Sequence, residues 1–176
     1  MENISIQYFK NNYGELIIGS FREQLCLCDW RYRKMRASID KRIQSSLNAE
    51  YVEQSSPIIS DTIEQLNEYF AGERKVFTIP LCLVGTEFQK QVWNALCTVG
   101  YGAKDSYSGL SGRINNPAAI RAVANANGAN AISIIVPCHR IIGMNGDLVG
   151  YAGGLDAKRK LLELENKYSK VVSLQF

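Results

Sequence analysis

Two-residue, extended patterning is concentrated in the first thirty residues, and this segregation most constrains the fold. Ile4, Ile6 and Tyr8 alternate, Asn11-Asn12-Tyr13-Gly14 supplies turn chemistry, and Leu16-Ile17-Ile18 and Leu25-Cys26-Leu27 follow as short apolar runs. A small antiparallel sheet is expected there. Residues 31–49 and 58–71 read as helices; in the second, Ile63, Leu66, Tyr69 and Phe70 share one face and Gly72 ends the helix. From Val84 the texture changes. Thr86 with Gln89 is a capping-box signature opening a helix that carries Phe88, Val92, Trp93 and Leu96 inward. Segments 106–114 and 117–127, separated by Asn115-Asn116-Pro117, read as a helix-turn-helix with Pro117 in the first turn of its second helix. The class expected is α+β. Residues 1–83 form an N-terminal structural domain built on the small antiparallel sheet and its helices, and residues 84–176 form a mainly helical domain holding the helix-turn-helix and a reactive cysteine.

Composition narrows the chemistry. A chain of 176 residues, 46% hydrophobic, can bury a core in one ordinary domain or two small ones. A formal charge of +3 permits nucleic acid as a partner without identifying it, because that inference needs basic residues gathered on one face. No charged start precedes a long apolar stretch, and no apolar run approaches the ~20 residues of a spanning helix, so a cytoplasmic protein with no membrane partner is expected. The five cysteines are an odd number, which suits reduced thiols. Cys26 and Cys28 are too close together for structural zinc, and His139, the one histidine, lies far downstream; no metal site is expected.

Ile132-Ser133-Ile134-Ile135-Val136 reads as a short strand that stops at Pro137, and Cys138-His139-Arg140 follows at once. A thiol thus stands where a rigid backbone ends. Cysteine reacts as thiolate, and a basic setting from His139 and Arg140 would favour that form or remove its proton on demand. Cys26, Cys28, Cys82 and Cys97, flanked by apolar residues, read as small buried hydrophobes. A carboxylate is needed to orient the imidazole, and the helix expected from Leu155 offers Asp156, Glu163 and Glu165, among which this pattern does not choose. Between them, Gly146-Asp147-Leu148-Val149-Gly150-Tyr151-Ala152-Gly153-Gly154 has glycines that let backbone N–H groups approach a ligand closely.

Ile135-Val136-Pro137-Cys138-His139-Arg140 resembles the active-site signature of the O6-alkylguanine-DNA alkyltransferases. The likeness extends over Gly85-Thr86-Glu87-Phe88-Gln89, Val92-Trp93, Tyr101-Gly102, Ser106-Tyr107, Asn116-Pro117, Arg121-Ala122-Val123, Asn130 and Gly153-Gly154-Leu155 through Glu165. The first 83 residues match in general layout alone, where the family carries a ribonuclease-H-like domain. The resemblance implies direct, once-only displacement of an alkyl group from O6-alkylguanine onto Cys138, and leaves O4-alkylthymine open as a second substrate. Under it His139 and a water take the thiol proton, Glu165 holds the imidazole, and Asn130 braces the turn. It further implies that Tyr107 aids extrusion of the nucleotide, that Arg121 fills the gap, and that Ala122, Ala124, Ala126 and Asn127 lie on a helix docked in the minor groove of double-stranded DNA. Tyr151 and the backbone N–H of Ala152 would bond the guanine O6, with carbonyls of Cys138 and Ile141 accepting from its amine and Val149 and Gly153 completing the base pocket. A monomer without cofactor is implied, working in the cytoplasm, or in the nucleoid or nucleus where DNA is reached.

The chain also departs from the family pattern. Ala152 stands where many relatives carry Ser, Gly128 where a basic residue is common, and Asn127 where an apolar one is. Two other readings compete: a non-catalytic binder of alkylated DNA, which would lack the nucleophile, and a cysteine hydrolase, which would turn over.

Overall fold

The computed structural model describes residues 1–170; the last six of the expected second domain, 171–176, lie outside the described residues. Strands β1 (Glu2–Asn11), β2 (Gly14–Phe21) and β3 (Gln24–Trp30) form the antiparallel meander expected from the alternation. The first turn is held by Asn11, whose Oδ1 accepts from the Tyr13 N–H at 2.7 Å. In the second turn Arg22 and Glu23 both take positive φ, the backbone that a right-twisted two-residue hairpin demands.

The sheet is nevertheless mixed. A fourth strand, β4 (Ala49–Glu53), pairs parallel with β1, giving the order β3-β2-β1-β4. Parallel pairing needs a crossover, and α1 (Arg36–Leu47) supplies it. That helix is shorter than the expected 31–49, because residues 31–35 are turns and Asn48 adopts the left-handed conformation that ends it. Both faces of the sheet are covered, which is why β2 and β3 read as continuous apolar runs. Ile4, Ile17 and Leu27 pack with Ile39 and Ile43 of α1. Leu16, Ile18, Leu25 and Cys28 face the other way, toward Ile59, Leu66 and Tyr69 of α2 (Pro57–Phe70). Helix α2 starts on Ser56, whose Oγ accepts from the Ile59 N–H, and ends before Gly72 at φ +78°; Ile63 and Phe70 are partly buried beside the expected stripe.

The capping box on Thr86 and Gln89 opens α3 (Glu87–Leu96), burying Val92, Trp93 and Leu96, with Phe88 partly buried. Then come α4 (Tyr107–Arg113) and α5 (Ile120–Gly128), packed on each other and on α3. Pro117 is not in the first turn of α5: it belongs to the tight turn before it, where the Ala119 N–H bonds the Asn116 carbonyl, and the helix starts after Ala119. Strand β5 (Asp105–Ser106) pairs parallel with β6 (Ile141–Ile142), and α6 (Leu155–Ser169) closes the described chain.

The expected strand at 132–136 is not one. Ile132 makes a single bridge to Cys28, after which the chain turns through Ile134 at φ +72°. Ile132, Ile134 and Val136 are apolar because all three are buried, between 0% and 2% exposed, and not because they line a sheet. The same core contains residues from both sides of position 83, Leu16, Leu25 and Trp30 packing with Val92, Trp93 and Leu161. Among the described residues no helix is long and apolar enough to cross a membrane, and no group of three or more metal-ligating side chains is gathered.

Candidate active site

Cys138 opens a single 3-10 turn, Cys138–Arg140, that follows Pro137 and leads into β6. Its thiol is 4% exposed and its Sγ accepts from Nδ2 of Asn130 at 3.2 Å. The same amide donates to the Val136 carbonyl at 2.9 Å, while Oδ1 of Asn130 accepts from the Ile132 N–H at 2.9 Å. One buried side chain thus ties both ends of the nucleophile turn together. Burial pushes the Cys138 thiol above its ordinary pKa; the Asn130 hydrogen bond opposes this, the Asp29 carboxylate adds to it, and Arg33 and Lys158 pull the other way. The resting thiol is therefore protonated at neutral pH and needs a base on demand.

His139 is fully buried, and its Nε2 lies 2.7 Å from Oε1 of Glu165. Burial would raise the Glu165 carboxyl, yet its hydrogen bonds and charge pairing with His139 and Arg140 take it down to about 2. An ionised carboxylate can only accept, so Nε2 carries the hydrogen and Nδ1 keeps its lone pair. That Nδ1 is buried with no hydrogen-bond partner among the described residues, and burial holds the imidazole below its ordinary pKa. The site accordingly rests as thiol, neutral imidazole and carboxylate. No hydrogen bond joins Cys138 directly to His139 among the described residues.

The three carboxylates separate cleanly. Asp156 and Glu163 lie on the exposed face of α6, paired with Arg159 at 2.6 and 2.9 Å, whereas Glu165 is 1% exposed. Glu165 also accepts from the Tyr69 hydroxyl at 2.8 Å and from Arg140 at 2.9 and 3.0 Å. Arg140 therefore neutralises Glu165 and does not form the basic setting expected around the thiol; its remaining donor goes to the Val99 carbonyl at 2.6 Å. Tyr69 comes from the N-terminal part and gives no signal in the sequence beyond its place on a helical stripe.

Cys138 opens on a cavity of about 750 Å³. Tyr107, Tyr151, Ala152 and Gly153, expected near the base, line it together with Asn127, Asn130 and, from the N-terminal part, Trp30 and Arg33. Buried polar atoms without a hydrogen-bond partner among the described residues border it, namely Asn127 Oδ1, Trp30 Nε1 and the Tyr151 hydroxyl. The Trp30 ring stands edge-on to Tyr151, centroids 5.9 Å apart, and lies so close beneath Gly153 that a Cβ there would fall 2.5 Å from it. Close packing against an indole is what Gly153 serves.

Ile141 and Val149 are not among the lining residues. Their carbonyls turn instead to Lys158, a fully buried residue of α6 whose Nζ also reaches the Gly150 carbonyl at 3.3 Å and that of Val149 at 2.7 Å. Burial brings the Lys158 pKa down to about 8. In sequence Lys158-Arg159-Lys160 looks like a solvated helix face, and only the tertiary fold singles out the first of them.

On α5, Arg121 and Ala122 are exposed, whereas Ala126 is 2% exposed and accepts from Trp93 Nε1 through its carbonyl at 2.8 Å. Ala126 is therefore a core residue and not a surface for DNA, and Asn127, 6% exposed, faces the cavity. Helical geometry explains the correction. Ala122 and Ala126, four apart, are only ~40° apart around the axis, with Ala124 on the opposite side; Ala122 is the edge of the exposed stripe of Arg121, Ala122, Asn125 and Gly128, and Ala126 falls just past that edge onto the buried arc with Val123 and Asn127. Of the other cysteines Cys26 and Cys28 are buried, Cys82 is intermediate, and Cys97, expected inside, is exposed at the end of α3.

Comparison with known proteins fits this geometry. Residues 87–167 match the family described as 6-O-methylguanine DNA methyltransferase, DNA binding domain. A methylated-DNA–protein-cysteine methyltransferase of Methanosarcina acetivorans is 42% identical over 158 residues, covering 89% of this chain and 95% of that protein. The inducible one of Bacillus subtilis is 47% identical over 129 residues, covering 73% and 70%. The solved structure of Mycobacterium tuberculosis OGT in complex with DNA superposes with a TM-score of 0.79 at 37% identity, covering 94% of each chain. This chain belongs to the methylated-DNA–protein-cysteine methyltransferase family.

Proposed function

We propose that this protein repairs DNA by moving the alkyl group of an O6-alkylguanine in double-stranded DNA onto Cys138, once and irreversibly. The observation that carries the reading is the buried array of Asn130, Cys138, His139 and Glu165 at the wall of a cavity of about 750 Å³, roomy enough to admit a nucleobase. Its parts have complementary roles. Nδ1 of His139, the free lone pair, receives the thiol proton through a bridging water, and Glu165 stabilises the imidazolium that forms. The thiolate attacks the alkyl carbon, forming a C–S bond as the C–O6 bond breaks. Negative charge then builds on the guanine, facing Tyr151 and the backbone of Ala152 as donors. A thioether is a poor leaving group, so the alkylated protein is spent.

The base must leave the duplex to reach a nearly buried thiol. Tyr107, first residue of α4 at the cavity, and Arg121, exposed on α5, are placed to assist extrusion and to occupy the gap. The small exposed residues Ala122 and Gly128 let α5 approach the floor of the minor groove, whose degenerate pattern suits a protein that inspects any sequence. In this reading the protein acts as a monomer, residues 84–176 carry the transfer and residues 1–83 support them.

The test is intact-mass measurement after mixing the protein with a duplex carrying one O6-methylguanine. A gain of one methylene per molecule, on Cys138, is expected. Cys138→Ser should bind the duplex and gain nothing. Turnover beyond one methyl per protein would sink the once-only mechanism and favour a hydrolase-like cycle.

A further inference from the structure

One buried carboxylate has no part in the proposed transfer beyond its charge near the thiol. Asp29, the penultimate residue of β3, is 0% exposed and does not line the cavity. Its Oδ1 accepts from Ser133 Oγ at 3.1 Å, both oxygens accept from Arg33 at 3.1 Å, and Oδ2 accepts from Arg36 at 3.0 Å. Burying such a cluster gives little stability over apolar packing of the same volume, so stability alone does not account for it. Its geometry does.

The partners of Asp29 converge on one stretch of chain. Arg33 donates to the carbonyls of Gly128 at 2.6 Å and Asn130 at 3.0 Å, and Arg42 donates to that of Ala129 at 2.9 Å. Three successive carbonyls at the end of α5 are thus capped by arginines from the N-terminal part. Ser133 lies three residues beyond Asn130, and between them the backbone is pinned to β3 by the Cys28 N–H on the Ala131 carbonyl at 2.9 Å and the Ser133 N–H on the Cys28 carbonyl at 2.6 Å. Asn130 sits in the middle of this clamped segment, and its amide is the group that meets Cys138 Sγ.

We propose that Asp29 is a positioning residue for the nucleophile: through Arg33 and Ser133 it clamps residues 128–133 and so aims the Asn130 amide at Cys138. The inference rests on the alkyl-transfer reading of Cys138. Charge alone predicts the opposite sign, since a nearby carboxylate disfavours a thiolate and its removal should hasten attack. Positioning predicts slower attack.

The experiment is single-turnover methyl transfer, followed by intact mass and normalised to folded protein, for wild type, Asp29→Asn and Ser133→Ala. Each is run on a saturating duplex and on free O6-methylguanine. Loss of aim should slow Asp29→Asn about tenfold or more on both substrates, by the same factor, with the half-saturating duplex concentration within about twofold of wild type. Ser133→Ala should show a smaller loss of the same pattern, and the double variant should be no slower than Asp29→Asn. Rates equal to or above wild type overturn the inference, and so does a loss confined to the duplex, which would assign Asp29 to DNA docking. Should Asp29→Asn not fold, Ser133→Ala decides, since it removes one contact and leaves the ion pairs; an unchanged rate there is equally fatal. If wild type transfers nothing, the alkyl-transfer reading fails and takes this inference with it. If wild type transfers and the variants keep pace, this inference alone fails.

Discussion

Glu165→Gln keeps the outline of the side chain and removes its charge, which isolates what the carboxylate does. In the native protein it is 1% exposed and accepts from His139, Tyr69 and Arg140. Its pKa falls from 4.5 to about 2. A depression of that size corresponds to about 3 kcal/mol of folding free energy as an upper bound at neutral pH, where the imidazole is neutral and its charge adds nothing. The substitution also leaves Arg140, 8% exposed at its side chain, without its counter-charge, and breaking a buried pair from one side typically costs ~3–5 kcal/mol. The two figures overlap, since both count the Arg140 pair, and are not added. At ~2–4 °C per kcal/mol for a domain this size, the variant should melt roughly 6–12 °C lower near pH 7. Because the folded pKa lies below the unfolded one, the stabilisation is complete above the unfolded value of 4.5 and fades as pH falls from there toward about 2. Urea unfolding of both proteins from pH 7.5 down to pH 3 should therefore show their curves converging as acid is added. A difference that stays constant with pH would refute the assignment of Glu165 as an ionised partner. Transfer should fall about 100-fold or more, since an amide neither dictates the imidazole tautomer nor stabilises its cation.

Further outcomes follow from other parts of the site. Arg121→Ala should slow transfer from duplex DNA while leaving the free base nearly unaffected, because the exposed guanidinium offsets part of an unstacking cost of a few kcal/mol; equal losses on both substrates would make Arg121 structural. Gly153→Ala drives a methyl to 2.5 Å from the Trp30 ring, so overpacking of ~1–3 kcal/mol and slower transfer are expected. A smaller residue at position 30 should restore part of that stability, and thermal melts of the single and double variants show whether it does. Methylated Cys138 adds volume at a site 4% exposed and disturbs the Asn130 amide on its sulfur, so the spent protein should unfold earlier and be cut faster by protease than the unreacted one. Indistinguishable profiles without DNA would remove the basis for that expectation.

The parts legible in the sequence were those written locally. The Thr86–Gln89 capping box and the turn at Asn11–Gly14 involve neighbours in the chain, and each stands where its residues imply. What escaped depends on tertiary packing. β4 is five residues with Ala49 alone fully buried, too weak an alternation to announce a strand, and its partner is reached through a helix. The 132–136 run was apolar for burial, which periodicity does not distinguish from pairing. At the site, Cys138-His139 and Glu165 were found through their motif, and the buried geometry separates Glu165 from Asp156 and Glu163. Asp29, Trp30 and Lys158 had no such marker, because their meaning arises from what distant segments bring beside them.

The core cluster that runs across position 83 bears on how the family likeness is used. The stretch matched as a DNA-binding domain, 87–167, buries part of its apolar surface against residues that precede it. Excised, it would expose Val92, Trp93 and Leu161 where Leu16, Leu25 and Trp30 now cover them, strip Glu165 of the Tyr69 hydroxyl, and uncap the carbonyls after α5. Transplanting the catalytic stretch into another scaffold would therefore require carrying the meander and α2 along with it.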